Sequence, residues 1–415
     1  MDSRERMLTA IGGGRADHVP LCFMIFAALR ARTSGWRDFV ETSLAMGLDA
    51  VVDLGQAYPG RSPEHSDAPG VPLHFGPEVS VREWREPPAG RRYPLLHKEY
   101  VTPAGTLSCS VRQTDDWPYG DHVPFLDDYI EPRAEKFLVA AEADLPALSC
   151  LLAEPSAEEI ARCREAWAAA RRFAAERGLL VTGGWGVAAE AAAWLMGLTN
   201  AVLAAVDRPA FFEAFLEVVG RWNRRRMEVL LEAGVDLFIR RGWYEGTSFW
   251  SPALYRRFLL PGLKAEVELA HQAGAKFGYV MSVGALQFAE LLMEAGVDVV
   301  IGVEDVQDRG MDLAALKARV KGKMALWGGV NGFVTIERGD DEAIRSATVR
   351  AMATLGPDGF ILSPVDNIRD PSAEVWRKVG VFIETWKVQA RGTGHEGEKT
   401  ASSHQPPGQA RGTGD

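Results

Sequence analysis

Between Gly234 and Asp305 the chain repeats one pattern of apolar and polar positions three times, as GVDLFIRRGWYEGTSFWSP, GAKFGYVMSVG and GVDVVIGVED. A glycine stops a helix, an apolar run of strand length begins two or three residues later, and the run ends in polar or aromatic residues that a buried strand does not choose. Runs that are apolar on both faces need burial on both sides, as parallel strands have, so the pattern is that of repeated βα units. Extended along the chain, it places strands at HVPLCFMI, DAVVDLG, LLVTGGWG, VDLFI, AKFGYVM, VDVVIGV, MALWGGVN and GFILSPVDN. Glycines 47, 178, 234, 274, 296, 322 and 356 stand shortly before strands two to eight. Eight strands in this rhythm predict a (β/α)8 TIM barrel whose C-terminal strand ends converge on one mouth.

Helices are expected at Ser3–Ile11 with Ser3 as its cap, at Trp36–Met46, at Ala143–Leu152, from the capping box SAEE at Ser156 to Arg177, and at Asp207–Leu231. From about residue 60 to 132 the rhythm stops. Proline, glycine and alternating residues (LHFGPEVSVREWRE, LLHKEYVTPAGTLSCSVRQT) predict an antiparallel hairpin insertion after strand two, with PAG as a turn. His97, His122, Trp117 and Tyr119 lie there, and scattered histidines in a hairpin read as surface residues rather than metal ligands. The barrel is expected over 1–387, with the insertion at about 60–132, and the tail 388–415, poor in apolar residues, is expected to be disordered.

A chain of 415 residues with 47% hydrophobic composition has room for this barrel and needs no second full domain. Its net charge of −10 opposes a nucleic-acid groove, which needs a basic face. Cys22, Cys109, Cys150 and Cys163 show no CxxC spacing and suit a reducing cytoplasm. The opening MDSRERMLTAIGGG has no apolar signal core, and no run approaches the roughly 20 apolar residues that span a bilayer, so a cytoplasmic protein with no membrane partner is expected.

The strand ends carry the candidate chemistry. Asp53 ends strand two and reads equally as a mouth group or a loop cap. GGWG after strand three lacks the lysine and spacing of a phosphate loop; close approach of backbone to a ligand is the softer reading, with Trp185 as a wall. Arg240 and Arg241 follow strand four and must point to opposite sides, one toward the mouth. There a guanidinium takes a carboxylate or phosphate of a substrate or, equally, an internal ion pair with Glu304 or Asp305. Trp243, Tyr244 and Glu245 follow in the same loop. Tyr279, Met281 and Ser282 end strand five, Glu304 and Asp305 strand six, Trp327 and Asn331 strand seven, and Asp366 and Asn367 strand eight.

Several of these stretches resemble the uroporphyrinogen decarboxylase superfamily, which also contains methyltransferases that serve corrinoid proteins. SRERMLTAIGGGRADHVPL is similar to its first helix and strand, and SPALYRRFLLPGLKAEVELAHQAGAK to its segment between strands four and five. GVDVVIGVEDVQDRGMDLAALKARVKGKMALWGGVN and LGPDGFILSPVDNI match its last three strands, so the resemblance covers about residues 1–387. Zinc-dependent members carry His-x-Cys-Gly after strand five, where this chain has Met281-Ser282-Val283-Gly284, and a further cysteine after strand eight, where it has Val365-Asp366-Asn367. The arginine-rich segment by which true decarboxylases grip carboxylates is represented only by Arg30 and Arg32 in FAALRART.

The resemblance thus points to the methyltransferase-like branch: methyl transfer between a small methylated compound and a corrinoid protein, with no metal site. In that reading Glu304 or Asp366 polarises or protonates the leaving heteroatom, and Tyr279 and Asn331 orient it. Arg240, Arg241, Trp243, Tyr244, Trp185, Asn331 and Asn367 line the substrate site. No cofactor is held covalently; a corrinoid arrives on a partner protein, since no Asp-x-His-x-x-Gly motif occurs here, and the chain itself is compatible with a homodimer. The alternatives are decarboxylation of a porphyrinogen or other polycarboxylate, and a catalytically silent barrel that binds a ligand or partner.

Overall fold

A computed structural model describes residues 1–58, 64 and 75–400, with side chains through residue 390. Part of the expected insertion, including the start of LHFGPEVSVREWRE, and the tail beyond residue 400 lie outside the described residues. The strands, in chain order, are β1 (Val51–Asp53), β2 (Ser80–Glu86), β3 (Leu95–Thr102), β4 (Gly105–Arg112), β5 (Ala134–Lys136), β6 (Leu180–Trp185), β7 (Leu237–Arg241), β8 (Lys276–Val280), β9 (Val299–Val303), β10 (Ala325–Asn331) and β11 (Phe360–Val365). They form two sheets: a parallel one of seven strands in the order β1-β6-β7-β8-β9-β10-β11, and a separate antiparallel one in the order β2-β3-β4-β5.

The expected first strand, HVPLCFMI, is reduced to a single bridge from Leu21 to Leu362. Its backbone nevertheless bonds to both edges of the parallel sheet. Cys22 N–H donates to Leu362 O and Leu362 N–H to Pro20 O, while Asp49 N–H, just before β1, donates to Leu21 O. Pro20 has no N–H to give, which keeps the ladder this short.

Strand alternation sorts the side chains. Leu180, Leu237, Ile239, Val280, Val299, Ile301, Ala325, Trp327 and Ile361 pack with one another inside the curled sheet, and Met7, Ala10 and Ile11 of the first helix join them. Their alternates Phe238, Phe277, Tyr279 and Val300 face the helices and belong to the larger outer core. The first helix, Ser3–Ile11, is capped by Asp2 in a reciprocal box with Glu5, not by Ser3. The SAEE box is formed as expected, Ser156 capping Glu159 N–H and Glu159 reaching back. The last helix runs Ala373–Thr400, past the point where the expected tail begins. Among the described residues no helix is long and apolar enough to cross a membrane.

The antiparallel sheet turns through Pro103-Ala104, as Thr102 pairs with Gly105. It buries Lys98 completely against Glu64 (2.7 Å) and Glu83 (3.3 Å). Glu83 is partly buried, yet bonds from His122 and Val123 N–H and the charge of Lys98 outweigh that burial and lower its pKa to about 2. A carboxylate depressed in this way stabilises the fold above its unfolded pKa near 4.5, and the contribution disappears as pH falls from there toward 2. Replacing Glu83 by Gln is therefore expected to flatten the acid limb of stability between those pH values by about 1–2 kcal/mol after allowance for solvent. Urea unfolding from pH 2 to 7 reads this, and superimposable wild-type and variant profiles would refute it.

Candidate active site at the strand ends

A cavity of about 360 Å³ opens where the parallel strands end. Its walls are aromatic and aliphatic: Phe23, Met24 and Ile25 beyond the Leu21 bridge, Trp36, Phe39 and Val40 from the helix Trp36–Ala45, and Trp185, Ile239, Trp243 and Trp327. Among them stand a few polar groups, Arg30, Asp53, Gln56, Thr182, Asp366, Asn367 and Arg369. This is the usual make-up of a small-molecule site, mostly apolar with a few orienting groups.

Each polar group is held by a local reason. Asp53 caps the turn after β1 by accepting from Gln56 N–H (2.8 Å) and takes a second bond from Thr182 Oγ1 across the sheet (3.2 Å). It is mouth group and cap at once. Asp366, just past β11, has φ +66 and accepts from Asn367 N–H (2.7 Å) and Gln307 Nε2 (2.9 Å). Trp185 has φ +90. Two cavity residues other than glycine thus sit in the left-handed region, an arrangement that surrounding structure must enforce and that clusters at functional sites. Asn367 Oδ1 accepts from Ala27 N–H (3.0 Å), tying the loop after the Leu21 segment to the far edge of the sheet. Gly184 is glycine because its Cβ would run into the Ile239 carbonyl, so the backbone of GGWG lies close against the neighbouring strand.

The two arginines alternate as expected, but neither lines the cavity. Arg240 points to the helices, bonded to Glu245 (2.6 and 2.7 Å) and Glu266 (3.1 Å). Arg241 points inward, bonded to Glu190 (2.7 Å) and to Asp128 (3.1 and 3.2 Å). The ion pairs anticipated with Glu304 or Asp305 are not the ones formed. Arg241 instead lies under the cavity wall, 4.4 Å from the Trp243 ring centre and 5.8 Å from that of Trp185. Glu190, fully buried, also accepts from Trp243 N–H (2.6 Å) and Tyr244 N–H (3.4 Å), so it fixes the loop that carries both aromatics. Tyr244 packs against Phe249 rather than on the cavity, its phenol raised above the ordinary value by burial.

Tyr279 also stands away from the cavity. It faces the helices, donates to Glu245 and receives Tyr255 OH (3.2 Å), and burial first, with Glu245 beside it, keeps its phenol protonated well above the usual range. Glu304 is fully buried, with both oxygens taken by Val306 N–H (2.5 Å) and Gln307 N–H (2.9 Å). Burial outweighs these bonds and raises its pKa. Asn331 caps the turn after β10 through Oδ1 (2.6 Å to Val334 N), and its buried side-chain amide faces Glu304. Glu304 is linked to the cavity through Gln307, whose side chain holds Asp366. Of the expected site residues, the structure brings together Trp185, Trp243, Asp366 and Asn367 on the cavity, and leaves Arg240, Arg241, Tyr244, Tyr279, Glu304 and Asn331 in its supports. Lining groups not put forward for the site include Trp36, Phe39, Gln56, Thr182 and Arg369, none of which carries a motif.

At the end of β8, Met281, Ser282 and Val283 supply no thiolate or imidazole, and no three His, Cys, Asp or Glu side chains among the described residues converge on a metal-sized point. This donor set does not fit the zinc of the thiol-activating relatives.

A solved structure shares the architecture. A methyltransferase from Methanosarcina mazei superposes with a TM-score of 0.56 at 14% identity, over 94% of this chain and 99% of that one. A B12-independent methionine synthase from Shewanella sp. W3-18-1 aligns at a TM-score of 0.36 and 11% identity, over 57% of this chain and 67% of that one. No curated protein matches the sequence. The family model for uroporphyrinogen decarboxylase (URO-D) matches residues 119–368, from the antiparallel sheet to the last strand end, more than half of the chain. The chain belongs to the uroporphyrinogen decarboxylase family.

Proposed function

We propose that the chain is a (β/α)8-barrel methyltransferase, closed by the Leu21 segment as its first strand, which moves a methyl group between a small methylated compound and a corrinoid carried by a separate protein. The observation that carries this reading is the cavity: about 360 Å³, four tryptophans and two carboxylates on one lining. That volume is at the low end of the ~300–1,000 Å³ range for small-molecule sites. Among the described residues, Arg30 and Arg369 are the ones that bring positive charge to the lining. Such a site suits a compact, largely apolar donor and is small and poorly cationic for a porphyrinogen bearing many carboxylates. Carboxylates and tryptophans on a common cavity also favour catalysis over an inert scaffold, whose mouth apolar side chains would fill. The methyltransferase fold of the Methanosarcina protein supports the same branch.

In this reading the tryptophans exclude water around the methyl group, and Asp366 supplies the negative charge against which that group, positive in transit, is held. Gln307 and Arg369 position Asp366, and no step runs through a zinc ion. Asn tolerates the left-handed backbone at position 366, so Asp366→Asn isolates the charge. The variant is expected to keep its melting temperature and to lose about 10² in methyl transfer to cob(I)alamin, followed by the cobalt spectrum with a panel of methylated donors. Unchanged transfer in this variant would remove Asp366 from the mechanism, and inertness of the wild type toward every donor would remove the reading itself.

A further inference from the structure

We infer that the cavity takes an N-methylated zwitterion, a quaternary ammonium with a carboxylate a short distance away. The inference rests on the methyl-transfer reading for its chemistry and on the cavity alone for its recognition.

A quaternary ammonium has no N–H. Outside water it is stabilised only by aromatic faces and by negative charge that needs no hydrogen bond. Trp185 and Trp243 meet at 86° with ring centres 5.7 Å apart, forming two walls of a corner, and Trp36 and Trp327 line other sides. The indoles of that corner already serve a cation, since the Arg241 guanidinium lies against them from beneath. Negative charge comes from Asp53, whose two oxygens each already accept a bond, from Gln56 N–H and Thr182 Oγ1. An acceptor so engaged acts more through its field than through a new hydrogen bond, which favours a fully methylated nitrogen over a primary ammonium.

The lining has a second sign. Arg30 and Arg369 both line the cavity and both are exposed, Arg30 resting 5.0 Å from the Phe39 ring centre and bonded to Gln56 (2.9 Å). Guanidinium groups at the rim suit a carboxylate that remains near water while the methylated head enters the aromatic part. A neutral ether would make no use of the Asp53 charge, and a polycarboxylate would make none of the aromatic corner.

The chemistry of such a donor agrees with the groups present. The C–N bond breaks with its electron pair passing to nitrogen, the methyl carbon forms its new bond to the nucleophile of the corrinoid acceptor, and the product is a neutral tertiary amine. No proton is required by the leaving group. The protonation-prone carboxyl, Glu304, indeed lies behind Gln307 and off the lining.

The test is binding to the full chain, read by tryptophan fluorescence and calorimetry, with trimethylammonioacetate, its uncharged-head isostere 3,3-dimethylbutanoate, choline and 4-methoxybenzoate. The zwitterion is expected to bind about 30-fold more tightly than the isostere, the ratio expected of a desolvated cation on aromatic faces, and about tenfold more tightly than choline, which lacks the carboxylate. Asp53→Asn should weaken binding of the zwitterion and narrow its gap to the isostere. Equal binding of zwitterion and isostere, preference for 4-methoxybenzoate, or no binding of any of the four would overturn the inference. Binding without methyl transfer to cob(I)alamin would sustain it and sink the methyltransferase reading, whereas transfer from 4-methoxybenzoate would do the reverse.

Discussion

Replacing Arg241 by methionine is expected to destabilise the protein by about 3–5 kcal/mol, because it leaves Glu190 as an unpaired charge in a fully buried site. The loss should grow with pH. Burial already raises the Glu190 pKa against the attraction of Arg241. Without Arg241 the carboxyl in the folded protein is held still further above its unfolded value, so the folded state of the variant is favoured while Glu190 is protonated and disfavoured once it ionises. Stability should therefore decline as pH rises above the ordinary carboxylate range. Glu190→Gln in the same variant removes the charge and keeps an oxygen for Trp243 N–H, so the double variant should recover most of the loss, and a double-mutant cycle in urea should return a large coupling energy. A cost below about 1 kcal/mol for Arg241→Met would show that this pair does not hold the wall. The same variant should weaken ligand binding to the cavity, since Trp185 and Trp243 lose the guanidinium they pack on.

Trp327→Ala is expected to cost a similar ~3–5 kcal/mol, for a different reason. The indole is 1% exposed, fills the inner space between opposite strands and donates through Nε1 to the Cys22 carbonyl (3.0 Å). Its loss opens a void at the cavity floor and removes a tie between β10 and the Leu21 segment. Trp327→Phe keeps most of the volume and loses the bond, and should cost about 1–2 kcal/mol. Denaturant midpoints of the two variants separate packing from the tie, and an Ala variant no worse than the Phe variant would contradict this account.

The helix stops were the most legible part of the chain. Glycines 47, 178, 234, 274, 296 and 322 all adopt positive φ, between +59° and +85°. Gly356 does not, with φ −79 and ψ −179; before β11 the left-handed residue is Gly359. Two glycines fell within reach of one strand, and composition alone does not say which turns. The parity of β7 was legible too, setting Arg240 and Arg241 on opposite sides. Applied to β8, the same parity puts Tyr279 with Phe277 on the helix side and Val280 inside, which removes Tyr279 from the mouth. The partners of the arginines were not legible. Glu190 and Asp128 lie 51 and 113 residues from Arg241, one in an Ala-rich segment of low apparent information and one in the insertion. Trp36 and Phe39 reach the cavity from a helix whose apolar spacing reads the same whether its face meets a core or a ligand.

The short tether at Leu21 governs the order in which the chain can become complete during synthesis. Residues 19–22 bond to Leu362 and, through the Val19 carbonyl, to Trp386, so their partners leave the ribosome more than 300 residues after they do. Until then the inner faces of β6 to β10 and the apolar side of the first helix have no lasting shelter. The sequence separation that lets one small bridge join the two edges also means that the bridge cannot form until β11 has left the ribosome, so a nascent chain stalled before β11 is expected to expose the apolar surface that makes such species prone to aggregate.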